Sequence, residues 1–196
     1  NEKLFFCIGD VSGKGGPASL LMAVTRSLFR NISAHVAEPE EIVRTLNDAM
    51  AEGNDANMFV ALFVGVLNLQ TGVMEYCNAG HNYAMLIGQM VSSIPCDHNL
   101  PVGAMPGMTF TKQQLTLEPQ STIFLYTDGL NEAEDPDHIL FGVERIIHIA
   151  ERMVKEGKNE PTTLINEMIE GVHRFVDDAE QSDDLTILAI KYGKRR

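Results

Sequence analysis

Three short acidic motifs hold the side chains of this sequence best suited to chemistry. Asp10 follows a compact apolar run, residues 4–8, and precedes Val11-Ser12-Gly13-Lys14-Gly15-Gly16. Asp128 follows a second apolar run, residues 122–126, and precedes Gly129. Asp183 and Asp184 stand directly before a third, residues 185–192. A lone carboxylate is costly to bury, and converging carboxylates repel one another unless a cation joins them. Oxygen ligands, with no cysteine or histidine pair at ligand spacing, suit a hard cation such as Mg²⁺ or Mn²⁺. Each motif by itself also reads as an ordinary Asp-Gly turn or strand flank. Whether the three meet depends on the fold.

The loop after Asp10 is glycine-rich, so its backbone can approach a ligand closely. Gly13 and Lys14 are candidates for phosphate contact, with Lys14 otherwise a solvated lysine on a polar loop. Ser12 is read either as a partner of metal-bound water or as a residue that satisfies its own loop backbone. His81, in Gly80-His81-Asn82, is read either as a general acid or as a structural hydrogen-bonder in a turn. His35, His98, His138, His148 and His173 show no ligand spacing among themselves.

Periodicity outlines the elements that must position these groups. Residues 4–8 read as a buried strand, ended by Gly9-Asp10, that delivers Asp10 at its C-terminal end. Pro17 suits a first helical turn, and Leu21, Val24, Leu28 and Ile32 repeat at helical spacing across residues 18–36. A second helix is expected over 39–51, with Ile42, Leu46 and Met50 on one face. Residues 59–67 are too continuously apolar for a half-exposed strand and read as central in a sheet. A turn at 68–72 follows. Residues 73–79 and 83–87 read as two strands joined around Gly80-His81-Asn82. Residues 92–108, with Pro95, Pro101 and Pro106, read as loop, and 109–117 as an alternating strand. Residues 131–138 read as an exposed acidic flap, either a gate for a partner or simply solvated. Val143, Ile146, Ile147 and Ala150 mark one helix; Leu164, Met168 and Val172 mark another; 185–192 is the last strand. Strands and helices are segregated rather than alternating, so the class is α+β.

Composition bounds the rest. The 196 residues suit one domain over 1–196, and 44% apolar with 21% charged residues is ordinary for a globular chain. The net charge of −12 repels phosphate backbones and argues against a nucleic-acid partner, with a basic cluster only at Lys191 and Lys194-Arg195-Arg196. Cys7, Cys77 and Cys96 form no CxxC pair and read as free thiols of a reducing cytoplasm, with Cys7 and Cys77 buried. The methionines, Met22, Met50, Met153 and Met168 among them, fall on helical faces as core. No segment reaches ~18 consecutive apolar residues, so no membrane contact is expected. The chain opens inside a strand, which suggests a piece of a longer protein.

Gly9-Asp10-Val11-Ser12-Gly13-Lys14-Gly15, with Ala18 and Leu20-Leu21-Met22, resembles the signature of the metal-dependent type 2C protein phosphatases. The branch it resembles is that of the bacterial sporulation stage II phosphatase and the stress sigma-factor regulators. Asn78-Ala79-Gly80-His81-Asn82, Leu125-Tyr126-Thr127-Asp128-Gly129-Leu130 with Glu132-Ala133, Phe141-Gly142, and Asp183-Asp184-Leu185-Thr186 continue the series in order. The resemblance runs from about residue 4 to residue 191. It implies an αββα sandwich: two antiparallel sheets packed face to face and flanked by helices. It also implies two ions, Mn²⁺ or Mg²⁺, in the intact parent. Asp10 resembles the bridging carboxylate, the Val11 carbonyl a further ligand of one metal, and Asp128 with Asp183 the ligands of the other. Asp184 corresponds to the outer shell, or to a direct ligand if the alignment shifts by one. The implied reaction is hydrolysis of phosphoserine or phosphothreonine by a metal-activated water, on a phosphorylated anti-sigma-factor antagonist.

In that family a hairpin with a Gly-Gly-Asp motif precedes Gly9-Asp10. It is missing before Asn1, so one metal site is expected to be incomplete, the sheet edge exposed, and a homodimer or weak activity among the outcomes. A second reading is a non-catalytic, partner-binding signalling module of the same fold. A third, a nucleotide cyclase or similar phosphoryl-transfer enzyme, lacks a P-loop or base-binding motif.

Overall fold

The computed structural model describes residues 2–97, 99–177 and 183–193; His98 and the basic cluster at 194–196 lie outside them. In chain order the elements are β1 (Lys3–Val11), α1 (Gly16–Ile32), α2 (Pro39–Ala51), β2 (Val60–Asn68), β3 (Val73–Ala79), β4 (Met85–Ile87), β5 (Val91–Ser93), β6 (Gln113–Thr116), β7 (Thr122–Tyr126), α3 (Asp128–Asn131), α4 (Gly142–Lys155), α5 (Pro161–Val176) and β8 (Ile187–Lys191). Among the described residues they form two antiparallel four-stranded sheets, β1-β2-β3-β6 and β5-β4-β7-β8. The expected two antiparallel sheets with flanking helices are present. The chain divides into two compact units, residues 1–81 with 96–117 and residues 82–95 with 118–196.

In the first unit, α1 and α2 pack on the sheet. Helix α2 forms over the expected residues because Pro39 opens it, Glu40 and Glu41 sit in its first turn, and Ile42, Leu46 and Met50 share a buried face. That face joins Val60, Leu62, Val64 and Cys77 in one core. Helix α1 ends at Ile32 rather than running to 36, because the chain closes in tight turns there: the His35 and Val36 amides both donate to the Ile32 carbonyl. In the second unit, α4 and α5 pair; α5 packs on β8 and α4 on β5. Phe124, Tyr126, Ile146, Leu164 and Met168 are among its core residues. Met50, Met153 and Met168 are core side chains, and Met22 packs at the margin.

Further expectations need correction, among them the 92–108 loop, whose first two residues lie in β5 and pair with β4. Strand β1 does not stop at Gly9-Asp10; it pairs with β2 through Val11↔Val60, because a Cβ at position 9 would sit 2.8 Å from the Ala61 carbonyl and glycine alone allows that approach. Strands β3 and β4 belong to different sheets, so Gly80-His81-Asn82 is a crossover and not a hairpin turn. The alternating run 109–117 keeps a ladder only over Gln113–Thr116. The 131–138 flap is not wholly exposed: Ala133 is buried, a bridge joins Glu134 to Leu140, and the Asp135 carboxylate accepts the Asp137 and Ile139 amides.

Strand β2 is buried along most of its length, as its unbroken apolar run implies. Its interruption, Gly65, lies in register with Phe6 on one side and Tyr76 on the other. Phe6 stacks on Phe63 at 6.3 Å between ring centroids, and Phe63 on Tyr76 at 5.6 Å. A Cβ at position 65 would lie 2.2 Å from Phe6 Cζ, so the aromatic row requires glycine there. Gly65→Ala is expected to cost about 1–3 kcal/mol in denaturant unfolding through overpacking. An unchanged midpoint would mean that Phe6 moves aside freely.

Cys77 is buried and Cys7 half-buried, with no disulfide among the described residues. Burial pushes the Cys7 thiol up to about 11 and Cys77 up to about 12, and raises Cys96 in the same direction. Because the thiolate is the reactive form, Cys7 and Cys77 are expected to react with a disulfide reagent at pH 8 about 100-fold more slowly in the native protein than after unfolding. Equal rates in the two states would show that the thiols are open to solvent. Among the described residues no helix is long and apolar enough to cross a membrane.

Candidate functional site

In the first unit, Asp10 is the penultimate residue of β1, opposite Ala61 on β2. Beyond Val11, Ser12 ties the strand end to its neighbour. Its amide donates to the Phe59 carbonyl at 2.9 Å, and its Oγ accepts the Phe59 amide at 2.8 Å. Of the two roles considered for Ser12, the structure records the backbone one. Gly13 and Gly15 take positive φ of 88° and 79°, left-handed conformations that turn the chain into α1. Lys14 lies exposed between them.

The Asn78 side chain clamps the crossover. Its Oδ1 accepts the His81 amide at 2.7 Å, and its Nδ2 donates to the His81 carbonyl at 2.9 Å. Gly80, at φ 77°, lies where a Cβ would meet Pro101 Cγ at 2.7 Å. His81 is only 8% exposed. Asn78 enters the sequence reading only as the first residue of the Asn78-Ala79-Gly80-His81-Asn82 motif, and its clamping role is visible only in the structure.

In the second unit, β7 ends at Tyr126 and the chain enters the single turn α3 at Asp128, so Asp128 opens a helical turn rather than closing a strand. Asp183 and Asp184 lead into β8, the strand paired with β7 through Tyr126↔Ile187. The two acidic motifs therefore share one end of one strand pair. The Thr127 amide donates to the Thr186 carbonyl at 3.0 Å, and the Thr127 hydroxyl accepts the Thr186 amide at 3.1 Å while donating to the Asp184 carbonyl at 3.2 Å. A Cβ on Gly129 would stand 2.3 Å from the Asp184 carbonyl oxygen, so only glycine lets the turns approach this closely. Asp183 Oδ1 accepts the amide of Asp184 at 2.8 Å. Asp128 is half-buried, and Asp183 and Asp184 are exposed. Asn82 Nδ2 reaches Asn131 Oδ1 at 3.2 Å, bracing the far end of the α3 turn.

The donor types, carboxylates and backbone carbonyls, fit a hard divalent cation. The carboxylate-bearing turns of the second unit meet across a cradle that a Cβ would fill. Among the described residues no three His, Cys, Asp or Glu side chains form a ready-made metal cluster.

Protein IcfG of Synechocystis is 28% identical over 97% of this chain and 34% of its own length. The phosphoserine phosphatase RsbU of Bacillus subtilis is 22% identical over 97% of this chain and 56% of its own length. The chain thus spans about a third of one curated relative and just over half of the other. Among solved structures, the SiaA-PP2C domain of Pseudomonas aeruginosa superposes with a TM-score of 0.81 at 16% identity, covering 97% of this chain and 79% of that one. The catalytic domain of the serine/threonine phosphatase PstP in complex with two manganese ions superposes with a TM-score of 0.68 at 12% identity, covering 94% and 86%. At these identities the structural likeness concerns the fold. The profile of the stage II sporulation protein E (SpoIIE) family matches residues 1–193, and the chain belongs to that family.

Proposed function

We propose that this chain is a metal-dependent serine/threonine protein phosphatase, hydrolysing phosphoserine or phosphothreonine on a signalling protein. The observation that carries the reading is the Gly129–Asp184 approach, which brings the Asp128 and Asp183-Asp184 turns together at one strand end in a chain of this family. The reading treats residues 1–196 as one catalytic domain. Asp10 and the Val11 carbonyl, and Asp128 with Asp183, are the proposed ligands of two Mn²⁺ or Mg²⁺ ions, with Asp184 behind them or as a direct ligand. Such ions, when bound, supply an acidified water and offset phosphoryl charge. The chain's own residues orient and hold. Ser12 keeps its hydroxyl proton for donation while its oxygen accepts the Phe59 amide. Lys14, exposed on the glycine-rich loop, supplies positive charge for a phosphoryl group. The proposed substrate is a phosphorylated anti-sigma-factor antagonist in the cytoplasm, and RsbU, a phosphoserine phosphatase, supports the phosphoserine assignment.

The second reading is a non-catalytic, partner-binding signalling module of the same fold. Phosphate release from a phosphoserine protein, with and without Mn²⁺, separates the two. Release is expected only with the metal, and Asp10→Asn or Asp128→Asn is expected to lower it on the order of 100-fold or more. Metal-independent release, or full activity in both variants, sinks the phosphatase reading. No release despite tight Mn²⁺ binding favours the module, and release from nucleotides but not from phosphoprotein points to a different enzyme.

A further inference from the structure

Thr127 stands at the N-cap of α3, where a threonine normally turns its hydroxyl onto the first amides of its own helix. Here the side chain makes no such cap. Its hydroxyl points instead to the segment leading into β8, accepting the Thr186 amide at 3.1 Å and donating to the Asp184 carbonyl at 3.2 Å. With the 3.0 Å bond from the Thr127 amide to the Thr186 carbonyl, three hydrogen bonds leave one residue for one short stretch of chain. Thr127 is 3% exposed, so water does not compete for these bonds.

The position of this latch matters. Thr127 directly precedes Asp128, and its two partners flank Leu185 immediately after Asp183 and within the acidic pair's own segment. Gly129, on the other side of Asp128, removes the Cβ that would hold the two backbones apart. Asp128 therefore sits between a residue that pulls the two turns together and one that permits the contact. Like charges on the two turns repel, and this latch opposes that repulsion just beyond the last strand pair.

We propose that Thr127 is a positioning residue: its hydroxyl sets the separation of Asp128 from Asp183-Asp184 and thereby the affinity of these carboxylates for a divalent cation. This rests on the metal-dependent reading above. Residues that orient carboxylate ligands change metal affinity without touching the ion.

The test is Mn²⁺ titration of the whole chain by calorimetry, beside Thr127→Val, Thr127→Ser and Asp128→Asn, with folding checked by circular dichroism. Valine keeps the shape and removes the hydroxyl; serine keeps the hydroxyl. Thr127→Val is expected to bind Mn²⁺ about tenfold or more weakly, and Thr127→Ser to stay within about threefold of the parent. If the valine variant does not fold, Thr127→Ala removes the same hydroxyl and leaves no methyl group facing the Asp184 carbonyl. A folded hydroxyl-free variant that binds Mn²⁺ as the parent does overturns the proposal while leaving the metal reading intact, as does equal loss in valine and serine. A parent chain that binds no Mn²⁺, or an Asp128→Asn variant that binds it unchanged, overturns the metal reading and this proposal with it. Metal affinity is read without turnover, so a catalytic defect from another cause does not confuse the result.

Discussion

The approach of Gly129 to the Asp184 carbonyl is the contact on which the second unit's acidic site depends. Any side chain at position 129 would put a carbon 2.3 Å from that oxygen, and the turns bearing Asp128 and Asp183-Asp184 would have to part. The strand pair beneath explains why the contact holds. Strands β7 and β8 are in register from Thr122↔Lys191 to Tyr126↔Ile187, and Ile123, Phe124 and Leu125 are fully buried. A ladder whose β7 strand is fully buried and whose β8 strand is half-buried ends where the charges begin, and the two acidic turns start from that pairing.

Both units use a related device beside their aspartates. In the first, Ser12 follows Asp10 by two residues and bonds the backbone of Phe59 at the entry to β2. In the second, Thr127 precedes Asp128 by one residue and bonds the backbone leading into β8. In each case a short hydroxyl side chain extends the ladder beyond its last regular pair. A carboxylate at a frayed strand end would swing freely; a carboxylate beside such a latch starts closer to one geometry. Pre-organisation of this kind lowers the cost of ordering a site when a ligand arrives.

Buried and half-buried polar side chains do comparable work around the first unit's long loop. Asn47, fully buried on α2, donates to the Met105 carbonyl at 2.8 Å and accepts the Gly103 amide at 3.0 Å. Asp48 accepts the Gly107 amide, and Asn54 donates to both Met58 and Gly103 carbonyls. A proline-rich segment with almost no strand of its own is thus held by one helix and the turn after it. These hydrogen bonds matter more to the architecture than the surface ion pairs. Lys112, for example, bridges Glu40 and Glu75, but partial exposure of all three weakens that bridge.

Much of this was written in the sequence. Helix 39–51, strand 73–79 and strand 122–126 were readable to the residue, because proline, acidic first-turn residues, glycine turns and unbroken apolar runs act locally. The five ordered motifs likewise pointed to the family through residue identity alone. What the sequence could not supply was the meaning of its glycines and asparagines. Gly9 looks like a strand terminator yet lies within β1, and Gly65 looks like a weakness yet accommodates Phe6. Asn47 and Asn78 look like surface or turn residues yet organise buried backbone. Periodicity also could not tell that β3 and β4 join different sheets, since strand pairing is set by partners far along the chain. The sequence determined which carboxylates were available and which elements ended beside them. Only the tertiary structure decided that Asp128 and Asp183-Asp184 share a strand end, because the hydrogen bonds and close contact that join them link residues more than fifty positions apart.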